Sequence, residues 1–157
     1  MTQSTVSTLA PLSPLATHSL SYRVYYRDSD AAGVMYYARY ADLFEVARME
    51  LFDSLGIDVA DLHRDLHIVF PVRHLTIDYK QPAYLGELLT LEIDLVYVGR
   101  SRIDCDYRIK KEGRKSGDIN QDEGVVALGK TVNVCVSLEK MNVVKLPEEI
   151  KNKLFSK

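Results

Sequence analysis

The sequence predicts an α+β fold, with an antiparallel sheet laid around one long helix. Three observations carry this. Tyr36 to Leu55 has helical apolar spacing. Four later segments alternate apolar and polar residues with a period of two, as half-buried strands do. No long helix interrupts them, and a doubly wound α/β sheet needs helices between its strands.

The 157 residues suit one domain with a real core. The apolar share of 46%, the charged share of 27% and the net charge of -2 are those of an ordinary soluble protein. That balance gives no case for binding nucleic acid or an acidic membrane surface. No apolar run reaches the length of a membrane span. Cys105 and Cys135 lie in strand-like segments without CxxC spacing, so they read as reduced core thiols of a cytoplasmic protein.

Residues 1–20 are expected to form a flexible N-terminal arm, and 21–157 the folded domain. Met1 to Ser21 carries no Asp, Glu, Lys or Arg, which fits neither a secretory signal nor a transit peptide. Ser21 to Arg27 reads as a short extended segment with Tyr22, Val24 and Tyr26 on one face. In the long helix, Tyr37, Tyr40, Ala41, Phe44, Ala47, Leu51 and Leu55 form the apolar stripe, and Gly56 marks its end. A short helical or irregular stretch follows, Asp58 to Leu66. Val69 to Tyr79, Leu88 to Val98, Ser101 to Lys110 and Val125 to Leu138 read as strands. Val98-Gly99-Arg100-Ser101 is a hairpin connection. Lys111 to Gly124, charged and glycine-rich, reads as an exposed loop, and Pro147 to Phe155 as a short terminal helix.

The stretch that carries chemistry is Asp28-Ser29-Asp30-Ala31-Ala32-Gly33, just before the long helix. One reading is a plain helix cap. A calcium loop fails, because Ala32 offers no side-chain oxygen and Arg39 stands where a bidentate glutamate belongs. A DxD phosphatase would need a buried parallel strand and alternating helices. The remaining reading is acyl transfer. A thioester carbonyl at a helix N-terminus meets free N–H groups and partial positive charge. Asp30 would then serve as nucleophile or as general base for water, with Gly33 leaving room for the substrate. His18, His63, His67 and His74 form no metal-binding pattern, and no GxSxG elbow is present.

Asp28 to Tyr40 resembles the signature of hotdog-fold acyl-CoA thioesterases of the 4-hydroxybenzoyl-CoA type. The likeness continues through Phe44-Glu45-Val46-Ala47-Arg48, Pro71 to Tyr79, Pro82-Ala83 and Gly86-Glu87. Within that family the chain is most similar to the Tol–Pal-associated subgroup of bacteria. Tyr37 departs from that subgroup, which has a histidine there, and agrees with the 4-hydroxybenzoyl type. The resemblance implies a hotdog fold, five or six antiparallel strands wrapped around the long helix. It also implies homodimers or homotetramers with active sites between subunits.

The same resemblance makes Asp30 catalytic, leaves Asp28 in support, and gives the Tyr37 backbone N–H to the oxyanion. A tyrosine, with a pKa near ~10, is a poor base at neutral pH. Arg100, Ser101 and Arg102 stand where relatives place coenzyme A contacts, and arginine suits phosphate. Gly33, Val34, Met35, Tyr36, Tyr40, Phe70 and Val72 are the expected substrate-binding residues. The implied activity is hydrolysis of an acyl-CoA thioester to acid and coenzyme A, with no metal and no cofactor beyond the substrate's own coenzyme A. The alternative is a non-catalytic acyl-CoA or acyl-carrier-protein binding module on the same fold. The acyl group, aromatic or aliphatic, is left open.

Overall fold

A computed structural model describes residues 13–113 and 124–156. Strand β1 (Ala16–Arg23) is followed by a 3-10 turn (Tyr26–Asp28) and helix α1 (Arg39–Ser54). Helix α2 (Val59–Arg64), β2 (Ile68–Val69), β3 (Val72–Tyr79), β4 (Leu88–Val98) and β5 (Arg102–Lys111) come next. The chain ends with β6 (Val125–Val134), β7 (Val136–Ser137), β8 (Asn142–Val143) and α3 (Glu148–Phe155). Five strands form one antiparallel sheet in the order β1-β4-β5-β6-β3, and β2, β7 and β8 form a small second sheet.

The sheet curls around α1, which is the hotdog arrangement. Tyr40, Leu43, Phe44, Ala47, Leu51 and Phe52 of α1 are buried. They pack against Leu89, Leu91, Ile93 and Leu95 of β4 and Ile103, Cys105, Tyr107 and Ile109 of β5. This is the helical stripe and the strand alternation meeting face to face. At Gly129 of β6 the sheet has no side chain, and the Phe44 ring fills the gap, stacked on Tyr107 at 4.4 Å. The outer sheet face is polar, with Lys110 reaching Glu92 at 2.6 Å.

Several boundaries differ from expectation. β1 begins at Ala16, inside the stretch expected as an arm, because residues 16–23 pair in register with Leu88–Leu95. The arm's residues 1–12 lie outside the described residues, as does most of the expected Lys111–Gly124 loop. α1 starts at Arg39 rather than Tyr36. The amides of Met35 and Tyr36 are bonded to Ala83 O and Asp28 O at 2.8 Å each, so this segment is held extended. The expected Val69–Tyr79 strand divides at Phe70-Pro71, where proline has no N–H to offer a ladder. The Val125–Leu138 strand likewise breaks at Cys135, whose amide turns to Ser101 O at 2.8 Å.

Candidate active site

The segment between β1 and α1 is tied down from both sides. Val24 exchanges backbone hydrogen bonds with Glu87 and Gly86 at 2.9 Å each. Asp28, 1% exposed, then knots three elements together. Its Oδ2 accepts from the Tyr22 hydroxyl of β1 at 3.0 Å and the Tyr25 amide at 2.9 Å. Its Oδ1 accepts from Arg39 of α1, Nε at 3.0 Å and Nη2 at 2.9 Å. With every lone pair committed, Asp28 holds the loop and has no free oxygen for chemistry.

Asp30 is in the opposite condition. Its carboxylate is exposed, and Oδ1 accepts the Ala32 amide at 2.8 Å, leaving Oδ2 without a hydrogen-bond partner among the described residues. The Gly33 amide donates to Asp30 O at 3.1 Å, and the Asp30 amide to Val34 O at 2.9 Å, closing a tight loop. Gly33 has φ +76, a conformation that strains any residue bearing a Cβ. Val34 and Met35 then pair with Tyr84 and Ala83. The loop therefore holds Asp30 on the extended segment that runs into the helix.

The amides of Tyr37 and Ala38 have no acceptor among the described residues and stand at the positive end of α1. Tyr79 at the end of β3 donates its hydroxyl to Tyr37 O at 2.9 Å, fixing that peptide. A free carboxylate and free helix-end amides on one short segment can together act on a carbonyl and hold the oxygen that becomes charged. Tyr36, Tyr40 and Tyr79 are not bases at neutral pH. The Tyr36 hydroxyl is raised by its hydrogen bond with Tyr37, Tyr40 by burial, and Tyr79 by burial. The thiols of Cys105 and Cys135 are pushed up by burial to about 12 and about 11, and are not nucleophiles. Among the described residues, no three His, Cys, Asp or Glu side chains gather as metal ligands.

The other expected site residues are dispersed. Met35 and Tyr40 are buried at 5% and 3%, so in the single chain they belong to the core and not to an open wall. Tyr36 and Tyr37 are exposed and in ring contact at 4.6 Å. Phe70 and Val72 line a cavity of about 440 Å³ with Met49, Phe52, Leu62 and Pro71. That cavity lies along the second half of α1, roughly 10 to 20 Å from the helix head at ~1.5 Å per residue. Arg100, Ser101 and Arg102 sit at the β4–β5 hairpin, at the sheet end where Arg102 pairs with Val134 and Val72 with Asn133. The segment that carries Asp30 is at the other end, where Val34 bridges to Tyr84 and Tyr37 O accepts from the Tyr79 hydroxyl. Arg102 is held by Asp104 at 2.8 Å and stacked over Tyr97 at 4.9 Å. Arg100 is exposed and has no carboxylate in ion-pair reach among the described residues.

The same cavity has polar residues that periodicity did not single out. Glu45 and His63 stand exposed on its lining, and Arg48 is half-buried there. Arg48 Nη1 donates to Asn133 Oδ1 at 2.6 Å. Asn133 Nδ2 donates to Thr131 Oγ1 at 2.8 Å, which hydrogen-bonds the Tyr107 hydroxyl at 3.0 Å. The sequence signal was a charged residue directly after Ala47, at the margin of the apolar stripe.

Residues 24–154 match the model of the thioesterase-like superfamily. The chain is 36% identical over 135 residues to the acyl-CoA thioesterase YbgC of Haemophilus influenzae, covering 85% of this chain and 90% of that one. It is 27% identical over 139 residues to the 1,4-dihydroxy-2-naphthoyl-CoA hydrolase of Synechococcus elongatus, covering 88% and 95%. Among solved structures, it superposes on a mutant 4-hydroxybenzoyl-CoA thioesterase complexed with 4-hydroxybenzoyl-CoA. There the TM-score is 0.77 and the identity 17%, over 90% of this chain and 99% of the other, a likeness of fold.

Proposed function

The chain belongs to the thioesterase-like superfamily and is a thioester hydrolase; on that premise we propose that it cleaves acyl-CoA to the free acid and coenzyme A with Asp30 as the catalytic carboxylate. The observation that carries this is the contrast between the two aspartates. Asp28 is buried and saturated with donors, while Asp30 is exposed with one oxygen free. That oxygen attacks the thioester carbonyl or takes a proton from the attacking water. The free amide of Tyr37, with that of Ala38 and the helix dipole, receives the developing oxyanion. The thiolate of coenzyme A leaves, and water completes the hydrolysis. No metal enters this scheme.

The separation of Asp30 from the cavity and the hairpin supports a site shared by two copies of the chain. β3 is the sheet's edge, and Val72, Leu75 and Tyr79 on it are exposed at 46%, 39% and 48%. A long apolar edge with unpaired amides calls for a partner strand. Two copies pairing β3 with β3 about a two-fold axis run antiparallel. The Tyr79 end of one then meets the Val72 end of the other. Asp30 of one copy is thereby brought toward the Phe70–Val72 cavity and the Arg100 hairpin of its partner. In this homodimer Gly33, Val34 and Tyr36 border the thioester, and Phe70 and Val72 the acyl group. Arg100 with Ser101 receives the coenzyme A phosphates.

The test is Asp30→Asn, assayed by thiol release from several acyl-CoAs. We expect a loss of about a hundredfold or more in kcat with the fold intact. Unchanged turnover in the folded variant would remove Asp30 from the mechanism. Binding of acyl-CoA by the unmodified protein without any thiol release would favour the binding-module reading.

A further inference from the structure

We infer that Arg48 selects acyl groups that end in a carboxylate, an assignment that rests on the shared-site reading above. The cavity along α1 is otherwise apolar at depth, with Phe52, Leu62 and Phe70 buried around it. Arg48 is the cation on that wall, and no carboxylate lies within ion-pair distance of it among the described residues. Glu45, one turn earlier, is exposed on the lining and makes no ion pair with it. A half-buried guanidinium without an anion is an unfavourable arrangement that a ligand can relieve.

The arginine is also held in place. Asn133, fully buried, takes one of its N–H groups at 2.6 Å, and Thr131 and Tyr107 brace Asn133 from behind. A guanidinium has five donors, so the bond to Asn133 and the interaction with the Tyr107 hydroxyl leave others for a ligand. Val72 pairs in register with Asn133, the residue that holds the guanidinium, so a short acyl group bordered by Val72 brings its far end to Arg48. A planar fork of donors matches a carboxylate through two parallel bonds. A methyl-ended chain leaves those donors unsatisfied, and a single hydroxyl satisfies one.

The experiment measures kcat/KM for length-matched pairs, succinyl-CoA against butyryl-CoA and glutaryl-CoA against valeryl-CoA, with 4-hydroxybenzoyl-CoA against benzoyl-CoA as a separate arm. The expected result is a preference of about tenfold or more for the carboxylate-ended member of each aliphatic pair. In Arg48→Met the ratio falls to about one or below, and in Arg48→Lys it is intermediate. The ratio within one preparation cancels any loss of folded enzyme. If neither variant folds, the ratios of the unmodified enzyme still decide. A preference for the methyl-ended chains, or a ratio that survives Arg48→Met, overturns the inference while the thioesterase reading stands. A preference confined to the hydroxybenzoyl arm also overturns it. Release of thiol from none of these substrates overturns both.

Discussion

Replacing Gly129 by alanine would drive a methyl group into the ring of Phe44. A Cβ built there would lie 3.1 Å from Phe44 Cδ2 and closer still to Cε2 and Cζ. Carbon atoms rest at about 3.5–4.0 Å, so the ring edge must retreat by more than about 1 Å. It has little freedom to do so, since it is 2% exposed and stacked on Tyr107 at 4.4 Å and 18°. The relief open to it is to lift α1 off the sheet. Overpacking of this kind costs about 1–3 kcal/mol. Against it, losing a glycine stiffens the unfolded chain by about 0.4–1 kcal/mol, and no left-handed φ is needed at this position. The net expectation is a destabilisation of about 1–2 kcal/mol, or about 2–8 °C in Tm for a chain of this size. The assay is denaturant unfolding followed by circular dichroism, in the natural background and in Phe44→Leu. Removing the ring should cancel the penalty, giving a coupling of about 1 kcal/mol or more. Equal losses in both backgrounds, or a more stable Gly129→Ala, would refute the close-packing argument.

Two further predictions concern the site. Asp28→Ala strips the acceptor from Tyr22, Tyr25 and Arg39 together. Breaking a buried pair costs about 3–5 kcal/mol, and Arg39 keeps Asp42, so the lower end is expected; a loss under about 1 kcal/mol in urea unfolding would contradict the knot. Arg100→Ala should raise KM for acyl-CoA by about tenfold, with a much smaller change for Arg102→Ala, which is already engaged by Asp104 and Tyr97. The same acyl group on a thiol without phosphates should show no dependence on Arg100; an equal effect there would mean that Arg100 acts through structure.

Periodicity exposed the helix stripe and the strand alternation because each element buries one face, and burial is written in the local pattern. Asp30 stood out as a candidate because a carboxylate, a glycine and a helix start fall within a few residues. The late start of α1 was not, since the Ala83 and Asp28 carbonyls that hold Met35 and Tyr36 extended are contributed by distant or turning chain. The division of labour between the aspartates was an expectation of the resemblance; in the structure the saturation of Asp28 follows from Tyr22 and Arg39, six and eleven residues away from it. Only its place at the margin of the apolar stripe marks Arg48 locally, because Asn133, which engages it, lies 85 positions further on. Phe70 and Val72 were expected beside Met35 and Tyr40, and only the fold reveals that they lie along another stretch of the helix.

The Asp28 knot has a consequence for motion. Loops that carry catalytic groups often open by themselves, at little expense to the rest of the molecule. This one is stitched at its root to the first strand and to the head of the central helix. Opening at that root would strand a buried carboxylate, so its protection against hydrogen exchange should rise toward that of the core. The Tyr25 and Tyr36 amides, both bonded within the knot, should then exchange on the timescale of global unfolding, while the free amide of Tyr37 exchanges fast. The carboxylate proposed for the chemistry would then sit on a scaffold that opens only with the core, and any movement that admits substrate would have to come from elsewhere.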